Sequence, residues 1–427
     1  MPRDRRGRTI EALMDEPGLS VGALKGLKVI DLTRVLAGPL CTQILADHGA
    51  EVIKVEPPEG DETRRLGPPF NSDGVSAYYL GLNRNKRAMA LDLRRPDGRE
   101  VLLRLLDDAD VLVENFVPGT MERWGLGYEG DLAMRFPRLV YCAISGFGGD
   151  GPYGGLPGYD AVLQALCGLM SVNGCAHCGP TRIGVPVVDI ATGLHAVIGI
   201  LLALTERARS GRGQRIEATL FDTAYALMHP HAANYFVSEI EPALTGNAHP
   251  NISPYDIYSG ADGSLFLGVV NDAQFRRFCE VLGRTDLAAD ARFGSNALRL
   301  ANRAALREAV ETAVAREPVE SLCARLMSAG VPAAPVRPVS RALRDPHARH
   351  RGTFLARGAY RGIAAVQKLS RTPAELRSAP PTFAADTRAV LSRLGYSRSE
   401  IEALVRDGVA PLEPRGARKA SPQKERS

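Results

Sequence analysis

Short β-branched apolar runs alternate along this chain with longer stretches whose apolar residues return every three or four positions. The first run, LKVIDL at 27–32, is too short for a helix and predicts a buried strand. A loop from Thr33 to Ala37 leads to Gly38 and Pro39, which open a helix running to about His48. Gly49 stops that helix before a second strand at 50–56, AEVIKVE. Strand, helix and strand joined by short connections mark a parallel sheet. The alternation continues with strands predicted at 88–93, 110–114 and 139–144. Helices are predicted at 96–106, around Met121 and at 159–170. A strand at 214–219 and an apolar helix at 220–236 close the series. The fold class is therefore α/β, with an open, doubly wound, Rossmann-like large domain.

From about Glu239 the pattern changes. A hairpin is predicted over 255–270 around Ala261, Asp262 and Gly263, followed by helices at 273–282, 302–316 and 319–329. This reads as a smaller α/β domain. A helix end near Leu343–Ala348 precedes short strands, and a helical pair at 387–407 breaks at Leu394, Gly395, Tyr396 and Ser397. The expected organisation is a flexible arm at 1–23, the large domain at 24–236, the small domain at 237–332, a segment at 333–411 returning to the large domain, and a disordered basic tail at 412–427.

The stretch GVPVVDIATGLH at 184–195 bears most on chemistry. Its β-branched run is expected to bring Asp189 to the end of a strand, just before a long apolar helix. The positive end of that helix would favour an ionised carboxylate. Local sequence alone makes Asp189 a helix cap, and other groups must converge on it before it becomes a nucleophile or base. Asp160 is likewise a cap first and an acid second. Asn115 and Phe116 follow a strand, where ligands of open α/β sheets bind. Lys86 and Arg87 form a cationic pair that suits either a phosphate or a solvated turn. Cys175-Ala176-His177-Cys178 has metal-ligand chemistry, but the second pair that a zinc site needs is missing. His229 and His231 lie in an apolar helix and read as structural. Glu56 ends the second strand, where dinucleotide enzymes hold a ribose. However, the first turn has no Gly-x-Gly-x-x-Gly, and Pro39 removes a backbone donor. No P-loop motif occurs either.

Composition narrows the field. With 53 basic against 48 acidic residues and a net charge of +5, the chain suits an anionic small molecule and does not call for nucleic acid. The apolar window at 196–204 falls short of the ~18 residues of a membrane span. The Arg-rich start lacks a signal-peptide core. Seven cysteines without regular spacing read as reduced thiols. The expectation is a cytoplasmic protein without metal, membrane or nucleic-acid partners.

Taken together, ordered blocks from Leu24 to about Gly408 resemble the class III CoA-transferases, with the α-methylacyl-CoA racemases as sister enzymes. The blocks include LKVIDL with Leu36-Ala37-Gly38-Pro39, GAEVIKVEP at 49–57, Asn85-Lys86-Arg87 and DVLVENF at 110–116 with Pro118-Gly119. They continue with SGFG at 145–148, Gly158-Tyr159-Asp160, Asp189 with Gly193, and GRGQ at 211–214. The resemblance implies that Asp189 attacks an acyl-CoA thioester. The cycle it implies forms an aspartyl mixed anhydride and CoA thiolate. Attack by the acceptor acid then leaves an aspartyl-CoA thioester and the acceptor's own anhydride, before CoA returns to the acceptor. The implied CoA-binding positions are Leu36, Ala37, Lys86, Asn115, Phe116 and Arg123, with Tyr159 and Asp160 in support. It implies no cofactor beyond the CoA thioester substrate, and an interlocked homodimer.

Two departures stand out. Gly246-Asn247-Ala248-His249-Pro250 replaces the glycine run that closes over the site in some relatives. Tyr159 stands where the racemases have a His, and a phenol with a pKa of about 10 is a poor base at neutral pH. That favours transfer, possible donors including succinyl-CoA, over a racemase using Asp160 and Asp189. A non-catalytic CoA-binding homologue is the third reading, opposed by the intact Asp189 block.

Overall fold

The computed structural model describes residues 22–415; the expected arm at 1–23 and tail at 412–427 lie outside the described residues except for 22–23 and 412–415. The chain divides into two compact units. One takes residues 22–163, Pro186–Ala224 and 351–415; the other takes Gln164–Val185 and Tyr225–His350. The second unit is thus larger than the span 237–332 expected from sequence.

The first unit is built on six parallel strands: β1 (Lys28–Asp31), β2 (Glu51–Glu56), β3 (Lys86–Ala90), β4 (Val111–Glu114), β5 (Val140–Ser145) and β6 (Arg215–Thr219). Their spatial order is 3-2-1-4-5-6, so the chain reverses its direction of travel between β1 and β4. Both faces of the sheet are covered, and so the strands carry buried apolar runs; Val29, Val111, Leu112, Val113 and Val140 are fully buried. Helix α1 (Ala37–Asp47) follows β1, and α2 (Pro96–Leu106) follows β3 with Pro96 at its first position. The returning segment guards the edge strand. Asp386 and Ala88 exchange backbone and side-chain hydrogen bonds, and Val390 and Leu391 enter the core.

Helix α3 (Asp160–Leu166) precedes α4 (Val187–Ser210), the longest helix, which Gly211 ends in the left-handed conformation at φ 76°. The structure corrects the sequence reading here: Asp189 ends no strand and lies within the first turn of α4, because Pro186 starts the helix immediately before Val187. Two predicted helices are also broken. The helix expected at 159–170 stops at Leu166 and resumes at Leu169, Gly168 turning the chain at φ 90°. The helix at 220–236 splits into Leu220–Ala226 and His231–Ser238 around Pro230. Nor is the apolar stretch short. Helix α4 is 24 residues long and contains an 18-residue window with a mean hydropathy of 2.1, enough in length and composition to cross a membrane.

The second unit packs the hairpin β7 (Tyr255–Gly260) and β8 (Gly263–Gly268), with β9 (Ala333–Pro335) beside β8, against α5 (Asp272–Val281), α6 (Arg303–Val314) and α7 (Val319–Ser328). Leu265, Leu267, Phe278, Val310 and Leu322 form its core. Within it, Cys175 and Cys178 are joined by a disulfide, contrary to the expectation of seven reduced thiols; the other five cysteines are free and buried.

Candidate active site

Where the strand order reverses, the carboxyl ends of β1 and β4 diverge and leave a crevice, the place where open α/β sheets bind ligands. The loops leaving these strands are locked together. The Arg34 N–H donates to Asn115 Oδ1 at 2.9 Å, and Asn115 Nδ2 donates to the Arg34 carbonyl at 2.8 Å. This pair steadies a strained turn, since Val35 lies at φ 69°, a conformation that disfavours a β-branched residue by about 1–3 kcal/mol. Helix α1 begins at once, and no side chain caps its first N–H groups.

Under the turn lies a buried ionic network. Asp31 accepts from the Thr33 N–H and hydroxyl, from Thr42, and from Lys86 Nζ at 3.0 Å. Lys54 donates to the Thr33 carbonyl at 2.7 Å and pairs with Asp61 at 2.9 Å. Burial works against the Asp31 charge, yet Lys86 and Lys54 hold its carboxyl below the usual range. Every group in this network braces the first turn.

Across the crevice, Ser145 and Gly146 at the end of β5 face the loop through Leu156–Tyr159. Gly146 and Gly158 stand back to back, and a Cβ on either would come within 2.8 Å of the other's Cα. Asp189 completes the lining, together with Leu36, Ala37, Asn115, Phe116 and Tyr159, around a cleft of about 190 Å³. Its placement follows from the start of α4. Pro186 supplies no capping side chain, and Asp160 serves in its stead, its Oδ2 accepting from the Val188 and Asp189 N–H groups at 2.8 and 3.2 Å. One turn on, Gly193 lets α4 lie directly on α1: a Cβ there would sit 2.6 Å from the Ala37 carbonyl oxygen.

The cap reading of Asp189 therefore transfers to Asp160, and the Asp189 carboxylate is left to the cleft. Its electrostatics also depart from expectation. Burial first, and the charge of Asp160 second, push the Asp189 carboxyl up to about 7, so the helix start does not keep it strongly acidic. Tyr78 feels the same charges. Burial, then Asp189 and Asp160, raise its phenol to about 12 and keep it protonated.

Leu36, Ala37, Asn115 and Phe116 line the cleft with Asp189, as does Tyr159; Lys86 and Arg123 do not. Lys86 is buried, its ammonium held by Asp31, the Pro39 carbonyl and Asn83. Arg123 is exposed and donates to the Thr120 hydroxyl, at the rim of an adjoining cavity of about 540 Å³. That cavity spans the ends of β1, β2 and β3, and it shares Arg34, Glu62, Phe116 and Val117 with the cleft. Glu56, the residue placed to hold a ribose, is instead bidentate to Arg64 at 2.7 and 2.8 Å. The cations the sequence reading passed over are Arg34 and Arg65. Arg34 was legible as a charged residue inside the first-turn block, whereas Arg65 and Tyr78 carry no local signal. Among the described residues, no group of three His, Cys, Asp or Glu side chains is placed to hold a metal ion.

The switch point thus holds a half-buried carboxylate in a cleft that also takes in the uncapped start of α1. The profile of CoA-transferase family III matches residues 24–387. The chain belongs to CoA-transferase family III. It is 43% identical over 335 residues to the succinate–glutarate CoA-transferase of Agrobacterium fabrum, covering 77% of this chain and 84% of that protein. It is 36% identical over 398 residues to the mouse succinyl-CoA:glutarate CoA-transferase, covering 91% of each. A solved CAIB/BAIF family protein from Brucella suis superposes with a TM-score of 0.79 at 41% identity, covering 88% of this chain and all of that one. This member of the family is a CoA-transferase, with the mixed α/β fold of its solved neighbours.

Proposed function

We propose that this CoA-transferase moves CoA from succinyl-CoA to a short dicarboxylic acid such as glutarate, with Asp189 as the nucleophile. The observation that carries the reading is Asp189 facing the cleft beside Leu36, Ala37, Asn115 and Phe116, while Asp160 takes over the capping of its helix. The names of the two relatives support the choice of acids.

The ionised Asp189 oxygen attacks the thioester carbonyl; the C–S bond breaks and CoA leaves as the thiolate. The thiolate attacks the Asp189 carbonyl of the mixed anhydride and frees the donor acid. An acceptor carboxylate then displaces CoA from the aspartyl thioester, and the thiolate attacks the acceptor's carbonyl to release the product and restore Asp189. Anhydride and thioester are both hydrolysable, so the half-buried position of Asp189 serves the chemistry. The uncapped N–H groups of α1 and the cation of Arg34 would meet the negative charge of the CoA moiety. Asp160 is engaged by two backbone N–H groups, which opposes a second base at the site and so opposes racemisation. The enzyme acts as a homodimer on this reading. An exposed apolar stripe on α4 supports that, with Leu194, Ile198, Leu201 and Leu202 each 40% or more exposed.

The deciding experiment mixes the protein with succinyl-CoA and a panel of carboxylic acids and follows new acyl-CoA species by mass spectrometry. Glutaryl-CoA should form, and hydroxylamine should trap an adduct on Asp189. Asp189→Ala should abolish exchange while leaving the circular dichroism spectrum unchanged. Exchange surviving in that variant at near-normal rate would remove Asp189 from the mechanism.

A further inference from the structure

The proposed transfer makes no use of Cys175 and Cys178. They flank the turn of a small hairpin, Gly174–Cys175 paired with Gly179–Pro180, with Cα atoms 5.2 Å apart, well within bridging range. Strands of two residues hold little by themselves, and Pro180 has no N–H to add to the ladder. What else closes the hairpin is a clamp at its base, where Thr181 N–H donates to the Asn173 carbonyl at 2.7 Å and Asn173 Nδ2 to the Thr181 carbonyl at 2.6 Å.

The two sulfurs differ from the other five. Cys178 is exposed and Cys175 half-buried, whereas Cys41, Cys142, Cys167, Cys279 and Cys323 are all buried. Burial raises the thiols of Cys41, Cys142, Cys279 and Cys323 and leaves them unreactive. At the hairpin, by contrast, each sulfur faces a backbone donor. The Cys175 N–H points at Cys178 Sγ at 2.9 Å, and the Cys178 N–H at Cys175 Sγ at 3.1 Å. The hairpin is also tied to another loop, the Gly246 N–H donating to the Gly174 carbonyl at 2.8 Å. Thr245 and Ala248 close a turn around Gly246, whose φ of 66° suits glycine.

We propose that Cys175 and Cys178 form a reversible thiol–disulfide site that exchanges with small-molecule disulfides and thiols, and that its oxidation state sets the order of the turn at Thr245–Ala248. In oxidation, the exposed Cys178 thiolate attacks a sulfur of the small disulfide and expels one thiolate. Cys175 then attacks the Cys178 sulfur of the mixed disulfide and expels the second. The two cysteine thiols are oxidised, the small disulfide is reduced to two thiols, and the two protons pass to the departing thiolates.

The test uses the full chain, reduced and freed of reductant, then treated with glutathione disulfide. Differential alkylation and peptide mass spectrometry should show both hairpin thiols lost to one internal bridge, restored by dithiothreitol, with the five buried cysteines unchanged. Cys175→Ser should accumulate glutathione on Cys178, while Cys178→Ser should react with glutathione disulfide at least about tenfold more slowly. Hydrogen exchange at Gly246 should be slower by about threefold or more in the bridged form than in the reduced form. Hairpin thiols that stay reduced under excess oxidant, or that bridge to other cysteines, would overturn the site. Equal exchange at Gly246 in the two forms would overturn its link to the turn.

Discussion

Two acids divide the labour at the start of α4, and one residue position decides which does what. Asp160 spends its carboxylate on the Val188 and Asp189 N–H groups, and Asp189 keeps its own for the cleft. On the proposed mechanism, an Asp189 carboxyl pushed up to about 7 is only about half ionised at neutral pH, so kcat/KM should climb as pH rises through 7 and level off above it. Removing the charge of Asp160 lowers the Asp189 carboxyl, so Asp160→Asn should move that limb to lower pH; a profile that stays in place would show the shift comes from burial alone. Lys86 makes a sharper contrast between sequence and structure. Its position in Asn85-Lys86-Arg87 suits either a phosphate contact or a solvated turn, and the family resemblance implies CoA binding, yet its ammonium is buried against Asp31. Lys86→Met would take away the ion pair of Asp31, leaving it the Lys54 charge and the Thr33 and Thr42 hydroxyls, and should cost about 3 kcal/mol in chemical denaturation. A phosphate-binding lysine would instead raise the KM for acyl-CoA and leave stability intact. Nothing in the local sequence separates these cases, because both need a lysine near the first turn.

At the scale of elements, the site depends on two helices lying close together. Gly193 on α4 allows the Ala37 carbonyl to approach, and Ala37 itself lines the cleft. Gly193→Ala would force α4 away from α1 and carry Asp189 with it. The expected result is a loss of about 1–3 kcal/mol in stability, with kcat falling more than KM rises. The strand series and α2 were legible because buried parallel strands leave short β-branched runs, and because Pro96 marks a helix start. The breaks at Gly168 and Pro230 were less so, since apolar periodicity runs straight through them. The start of α4 was misread for a related reason: β-branched Val187, Val188 and Ile190 favour a strand locally, and tertiary packing overrides that preference.

For the whole molecule, the long helix carries the open question of assembly. Its exposed stripe of Leu194, Ile198, Leu201 and Leu202 is the face a second copy would cover on the homodimer reading. Leu202→Asp should shift the protein from dimer to monomer in analytical ultracentrifugation; an unchanged dimer would place the interface elsewhere. The sequence by itself determined the α/β class, the order of the six strands along the chain and the candidate nucleophile, because these depend on periodicity and on short ordered blocks. Tertiary structure alone decided which acid caps and which faces the cleft, that Lys86 braces the first turn and that Arg34 stands at the crevice. It alone also joined Cys175 to Cys178. Those outcomes turn on burial and on partners far apart in the chain, Asp31 with Lys86 or Arg34 with Asn115, and no local pattern records which charge will be enclosed and which left facing a ligand.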